Sequence, residues 1–313
     1  MASSPQVFTA EQVSELLPWT ELIAAIEEIL VTDGAVAPER TVHTVPDSAG
    51  NDGGLLLKPG WVVGEVIAIK AVTFFPDNGA LDLPTINAGV LLFSGANGTF
   101  LGACDGNELT TRRTAAASAI AAKRLARPDA SRLLVVGTGA LSPMTALAHC
   151  EVRDFDTVEV WGRDSDKALR VANHLVTHNI SARSADDLDA AVAEADVITC
   201  VTGATSPLVK GALLKPGTHV DLIGAFTPEM RESDDDVITR GTVFLDTRED
   251  GSISGDISQP IEAGIMTMDD VAADLRELVD GTHGGRTSPD EITVFKSAGF
   301  ALEDVAAAGL VFS

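Results

Sequence analysis

The chain reads as an α/β protein built on a Rossmann-type, doubly wound parallel sheet with an α+β region ahead of it. Three observations predict this. The run Leu133-Leu-Val-Val-Gly137-Thr-Gly139-Ala-Leu-Ser142 joins an apolar, partly β-branched strand to a glycine turn, and a helix-forming segment over residues 144–150 follows. A second apolar strand, residues 157–161, arrives about twenty residues after the turn, where a dinucleotide-binding unit places it. From Arg132 onward strands alternate with helical segments, the order that a parallel sheet with crossover helices requires.

Taken in order, residues 10–31 carry a helical pattern, with Thr9 as N-cap and Val13, Leu16, Leu17, Ile23, Ile26 and Leu30 on the apolar face. Pro18 divides that pattern into two helices. Residues 54–57, 66–75 and 89–93 are short Val/Ile/Leu/Phe-rich strands between Gly, Pro and Asn turns, which predicts an antiparallel sheet. Residues 114–125 form an alanine-rich helix, and Arg127-Pro-Asp-Ala marks a boundary. Further strands are expected at 133–136, 180–183, 197–201, 219–223 and 243–246, and a closing helix at 301–310. In the glycine turn the third small position is Ser142, small enough for close helix-to-sheet packing, with Pro143 tolerated in a first helical turn.

Composition narrows the function. The 313 residues suffice for two domains and a large core, and 45% are hydrophobic. The start, Met1-Ala-Ser-Ser-Pro5, lacks a basic region followed by an apolar core, and no apolar run is long enough to span a membrane. A cytoplasmic protein is expected. Cys104, Cys150 and Cys200 have no metal or disulfide spacing and read as small buried hydrophobes. The net charge of −24 repels nucleic acid and anionic membranes, so neither is expected as a partner. His174 and His178 stand four apart on a polar helix, a solvated face rather than a metal site, and no nucleophile elbow is present.

Against this acidic background, isolated cations stand out. Lys70 lies in Val66-Ile-Ala-Ile-Lys70-Ala-Val-Thr73, where a lysine either reaches solvent from the strand end, the commoner case, or stays partly buried with a lowered pKa and exchanges a proton near neutrality. Arg112 and Arg113 open the alanine helix, and Arg40 precedes Val42-His43-Thr44. An arginine in such a place either grips a carboxylate bidentately or pairs with a neighbouring acid. Together these cations suit a small anionic substrate. At the end of the second nucleotide-domain strand stands Arg163 instead of the acid usual for NAD. Arg163 and Ser165 fit a 2′-phosphate and Asp164 a ribose, which favours NADPH and retains NADH as the alternative.

The segments Ile69-Lys70-Ala-Val-Thr-Phe-Phe-Pro76-Asp77-Asn78, Asp105-Gly106-Asn-Glu-Leu-Thr110-Thr-Arg112-Arg113-Thr114, Gly137-Thr-Gly139 and Phe295-Lys-Ser297-Ala-Gly299 resemble the ornithine cyclodeaminase/mu-crystallin family over nearly the whole chain. The resemblance implies a Rossmann domain, residues 115–292, inserted into a substrate-binding and dimerising α+β domain, residues 1–114 and 293–313. It further implies an NAD(P)H-dependent ketimine reductase of proline metabolism, acting as a homodimer. Lys70 would be the catalytic group, with Arg40 and Arg113 clamping the substrate carboxylate. Thr114, Gly137, Thr138, Gly139, Ala140, Leu141, Arg163, Asp164, Ser165, Val201, Thr202, Ile223, Gly224 and Ser297 would bind the cofactor.

Departures from the family refine the substrate. Cyclodeaminating members carry an aspartate in the segment Gly224-Ala225-Phe226-Thr227-Pro228 and a glutamate in Leu55-Leu56-Leu57, where this chain has Phe226 and Leu56. Neither can hold an amine, which argues against ornithine cyclodeamination and leaves Phe226 as an apolar wall. Lys58 replaces a frequent methionine and either meets an extra anionic group of the substrate or carries its ammonium out of the pocket. The expected reaction is reduction of Δ1-pyrroline-2-carboxylate or Δ1-piperideine-2-carboxylate to the L-amino acid. Alanine dehydrogenase-like reductive amination and mu-crystallin-like binding of NADPH and small ligands remain as alternatives.

Overall fold

The computed structural model describes residues 4–47, 50 and 52–313. Met1 to Ser3, which the reading of the N-terminus includes, lie outside the described residues. The chain forms two compact units, Met1–Arg113 with Ala301–Ser313, and Thr114–Phe300.

In the first unit, β1 (Gln6–Phe8) precedes α1 (Ala10–Leu16) and α2 (Trp19–Val31). Thr9 and Gln12 close a reciprocal capping box on α1, and Pro18 separates the two helices as its missing N–H requires. There follow β2 (Ala35–Val36), β3 (Thr41–Pro46), β4 (Asp52–Val62), β5 (Val66–Phe74), β6 (Ile86–Ser94) and β7 (Phe100–Asp105). The sheet runs β1-β7-β6-β5-β4-β2, with β3 also on β4; all pairs are antiparallel except β1 with β7. β4 is longer than its apolar core because Pro59 is tolerated. β3 covers Asp52 to Leu57 and β2 covers Trp61 and Val62, so Pro59 sits between them where no outer strand needs its N–H. The C-terminal helix, Ala301–Val311, packs on α2, β4 and β5 and is buried along most of its length.

Helix α3 (Gly106–Leu125) spans the boundary between the units. It begins two turns before the alanine-rich stretch because Asp105 caps it, its Oδ1 accepting the Glu108 N–H at 2.8 Å.

The second unit continues with β8 (Arg132–Val136), α4 (Leu141–Val152), β9 (Thr157–Trp161), α5 (Ser165–Thr177), β10 (Ala182–Ser184), α6 (Leu188–Glu194), β11 (Val197–Cys200) and β12 (His219–Leu222). It is completed by α7 (Asp235–Arg240), β13 (Gly241–Leu245), α8 (Arg248–Gly251), α9 (Gly255–Glu262), β14 (Val271–Asp274), α10 (Leu275–Asp280) and β15 (Ile292–Lys296). The strand order is β10-β9-β8-β11-β12-β15-β13-β14, all parallel. Both faces are covered: Leu134 and Val136 join one apolar cluster, Leu133 and Val135 the other. The winding reverses between β8 and β11, which opens a crevice at their carboxyl ends.

The expected boundary at 293 is corrected by β15. Ile292–Lys296 is an inner, fully buried strand between β12 and β13, so the chain returns to the first unit only at Ala301. The first boundary falls after Arg113 rather than Thr114. No described helix is long and apolar enough to cross a membrane.

Candidate active site

The first unit buries an unusual set of charges. Lys58 on β4 and Lys70 on β5 are direct cross-strand partners, and both are almost fully buried. Like charges so placed repel each other. The compensation comes from the C-terminal helix: Lys70 Nζ donates to Asp304 Oδ1 at 2.8 Å, and Arg113 Nε lies 2.8 Å from the same oxygen. Arg113 Nη1 donates to Glu303 Oε2 at 2.6 Å. Burial and the Arg113 guanidinium hold the Lys70 pKa down at about 7, although Asp304 opposes them. For Asp304, burial works against ionisation, but Arg113, Lys70 and Lys58 overcome it and keep the carboxyl at about 2. The site therefore contains a lysine poised near neutrality beside a permanent carboxylate.

Of the adjacent arginines predicted together, only Arg113 belongs to this cluster. Arg112 is structural: it donates to Glu108 Oε1 at 2.7 Å, to the Leu17 carbonyl at 3.0 Å and to Ser14, and it stacks over Trp19. Arg40 directly precedes β3, whose first residue, Thr41, pairs with Leu57, the neighbour of Lys58 on β4. Leu56 lies two residues before Lys58 and so on the same face of β4.

The second unit holds a cavity of about 430 Å³ at the strand carboxyl ends, lined in part by Gly137, Thr138, Gly139, Arg163, Val201 and Thr202. Gly137 has φ +130°, and a Cβ there would stand 2.7 Å from the Val201 carbonyl oxygen, so only glycine fits this turn. Ser142 serves as the third small residue in a specific way, its buried hydroxyl donating to the Gly137 carbonyl at 2.8 Å. Helix α4 starts at Leu141 after Ala140, with no side chain capping its first N–H groups. The Ser142 N–H is bonded to the Gly139 carbonyl at 3.1 Å and Pro143 has none, so the Leu141 N–H and the glycine turn ahead of it are what this helix start offers a pyrophosphate. Arg163 faces the cavity and makes no hydrogen bond or ion pair with the described residues. Asp164, by contrast, caps α5 by accepting the Lys167 N–H at 3.1 Å, with Ser165 as the first helical residue.

The far wall of this cavity is braced by a residue that the sequence does not announce. Glu232, fully buried, accepts from the Thr202 N–H at 2.7 Å and hydroxyl at 2.9 Å through one oxygen, and from the Gly224 and Ala225 N–H groups at 2.7 and 3.2 Å through the other. It thereby ties together the loops that leave β11 and β12. Gly224 is required for this approach, since a Cβ would lie 2.1 Å from the Thr202 carbonyl oxygen. Ile223 continues the ladder to Cys200 at 2.9 Å. Burial pushes the Glu232 carboxyl up to about 7, against the pull of Lys296.

The remaining predicted residues stand elsewhere. Thr114 is buried in α3, and the Ser297 hydroxyl donates to Asp246 Oδ2 at 3.1 Å. Phe226 lies in the loop after β12 and is 41% exposed. Trp161, Gly162 and residues 203–206 line the cavity but were not predicted; the glycine signal points to the turn and not to the loop after β11. Glu303 and Asp304 were missed as well. Their only signal is a pair of acids inside Ala301-Leu-Glu-Asp-Val-Ala-Ala-Ala308.

Residues 3–313 match the model of the ornithine cyclodeaminase/mu-crystallin family. A Δ1-pyrroline-2-carboxylate reductase of Colwellia psychrerythraea is 34% identical over 97% of both chains. The mouse ketimine reductase mu-crystallin is 33% identical over 100% of this chain and 98% of its own. Among solved structures, the Thermococcus litoralis Δ1-pyrroline-2-carboxylate reductase in complex with NADH and L-proline superposes with a TM-score of 0.91 at 29% identity, covering 98% of this chain and 96% of that one.

Two substitutions test these arrangements. Asp304→Asn leaves Lys70 and Arg113 short of their shared counter-charge and is expected to lower stability by about 3–5 kcal/mol in urea unfolding; a change below about 1 kcal/mol would contradict the ion-pair account. Glu232→Gln turns an amide donor toward backbone N–H groups and is expected to cost about 1–3 kcal/mol, read from the same transition.

Proposed function

Because the chain belongs to the ornithine cyclodeaminase/mu-crystallin family, we propose that it is an NAD(P)H-dependent imine reductase. Its substrate on this reading is a small cyclic 2-imino acid, Δ1-pyrroline-2-carboxylate or Δ1-piperideine-2-carboxylate, and its product the L-amino acid. The observation that carries the reading is Lys70, a lysine ion-paired to Asp304 whose pKa is brought down to about 7 by burial and by the Arg113 charge. Relatives named as Δ1-pyrroline-2-carboxylate and ketimine reductases support it, as does the NADH and L-proline of the Thermococcus structure.

Reduction of a C=N bond needs a hydride at carbon and a proton at nitrogen. Bound NAD(P)H supplies the hydride. Arg113 and Arg40 hold the substrate carboxylate, Arg113 already oriented by Glu303 and Asp304. Lys70, as the ammonium, hydrogen-bonds and protonates the imine nitrogen; Asp304 stays ionised and steadies that charge. Lys58 adds positive potential beside Lys70, and Phe226 supplies an apolar surface to the ring. Gly137, Thr138, Gly139, Ala140 and Leu141 take the pyrophosphate, and Val201, Thr202, Ile223 and Gly224 the nicotinamide end. On this reading Arg163 and Ser165 meet a 2′-phosphate, which favours NADPH, with NADH as the alternative.

On this reading the protein is a homodimer like others of its family, and sedimentation of the purified protein tests it.

Purified protein is expected to oxidise NADPH, followed at 340 nm, when given either cyclic imine. Absence of turnover with both cofactors across related ketimines overturns the proposal. Lys70 must be protonated to act and has a pKa of about 7, so kcat/KM for reduction is expected to fall as pH rises above that value. Lys70→Met is expected to lower kcat by about 10²–10⁴. Arg163→Ala is expected to raise KM for NADPH about tenfold or more while leaving that for NADH nearly unchanged; an equal effect on both would assign Arg163 no part in cofactor choice.

A further inference from the structure

Five of the chain's 22 lysines and arginines, Lys123, Arg124, Arg127, Arg153 and Arg286, line one cavity of about 850 Å³ in the second unit. The rest of the chain is strongly acidic, so this is a local inversion of charge. The five come from three separate places: the end of α3 with the turn after it, the residue following α4, and the loop leading into β15. In a parallel sheet all three lie at the edge where strands begin. The cavity of Gly137 and Val201 lies at the edge where they end, and strands of five residues separate the two edges by about 16 Å. The basic cavity is therefore distinct from the dinucleotide crevice.

Part of this cluster has structural work. Arg286 donates to the carbonyls of Leu125 at 2.7 Å and Gly217 at 3.0 Å, and Arg124 to that of Leu278 at 3.0 Å. Bonds to neutral carbonyls orient these guanidinium groups without cancelling their charge. The only acid among the lining residues is Asp129, 3.4 Å from Arg127. Asp196, 2.9 Å from Arg127, is shared with Lys215, and Glu291 is turned to the Thr287 and Ser288 backbone. Arg153 is half-buried, and among the described residues its one hydrogen bond is from Nη1 to the Pro128 carbonyl at 3.0 Å. Burial, and the charges of Arg127 and Arg153, hold the Arg286 pKa below its ordinary value despite the nearby Glu291. The cations thus press on one another.

We propose that this cavity binds a small phosphate-bearing anion, with Arg153, Arg127 and Lys123 as its contacts. Planar guanidinium forks match phosphate oxygens bidentately, and the volume admits a molecule up to nucleotide size. The site gives the protein a second anion-binding surface, separate from its proposed chemistry.

The test is binding of inorganic pyrophosphate to the full-length protein, by calorimetry and thermal shift at constant ionic strength, with the dinucleotide crevice saturated by NADPH. Saturable binding is expected, weakened at least about tenfold by Arg153→Ala and also by the solvent-facing Lys123→Ala, and unchanged by Arg163→Ala. Far-ultraviolet circular dichroism and the unfolding midpoint of each variant distinguish lost binding from lost structure. Three results overturn the proposal: a shift no larger than chloride gives; binding that survives Arg153→Ala and Lys123→Ala but disappears with Arg163→Ala, which places the ion in the dinucleotide crevice; or citrate binding as tightly as pyrophosphate.

Discussion

Two carboxylates on the last helix decide the electrostatics of the first unit. Lys58, Lys70 and Arg113 are buried on three different elements, and three buried cations without counter-charge would not be tolerated. Glu303 and Asp304 supply that counter-charge, yet they enter only after the chain has completed residues 114–300. The sheet of the first unit is thus electrostatically unfinished until the C-terminal helix docks on β4 and β5. The same burial bears on chemistry. It removes the water that would favour the ammonium and, with the Arg113 charge close by, brings the Lys70 pKa down to about 7.

A comparable device recurs in the second unit, turned to a different purpose. At the carboxyl ends of parallel strands, backbone N–H groups leave the sheet and lose their ladder partners. Glu232 collects four donors there from the loops after β11 and β12, and Asp246 collects the Ser297 hydroxyl together with the N–H groups of Ala298 and Gly299. A carboxylate suits this duty because two oxygens offer about four lone-pair directions and no competing donor. Ser297, which family resemblance would make a cofactor contact, is in this structure a partner of such a brace. Asp164 is likewise engaged, as the cap of α5.

Legibility in the sequence followed the physical range of each signal. The glycine turn, the strands β8 and β9, the split at Pro18 and the N-cap at Thr9 are all specified by residues close together, and each was readable. β15 was not, because Ile292-Thr-Val-Phe-Lys296 looks like the start of a tail until β12 and β13 are known to flank it. The start of α3 was hidden by the polar run Glu108-Leu-Thr-Thr-Arg-Arg113, whose helicity depends on the Asp105 cap and on Arg112 reaching Leu17 and Ser14. Asp304 was invisible for the same reason in stronger form. Its partner Lys70 is 234 positions away, and no local pattern distinguishes a buried acid from a solvated one on an alanine-rich helix.

The acidity of the chain makes its cations more informative. With 46 acidic and 22 basic residues, most surface charge is negative, yet the residues argued to meet anions are all cationic. These facts are compatible because surface charges are screened within about 10 Å at physiological salt, whereas a charge inside a cavity is shielded far less. A carboxylate approaching Lys70 and Arg113, or a phosphate approaching Arg163, responds chiefly to those groups and little to the distant acidic surface. The negative exterior does act on approach: it discourages polyanions as large as nucleic acid, which cannot enter a cavity and must face the whole surface. The charge distribution thus selects by size as well as sign, admitting small anions and turning away large ones.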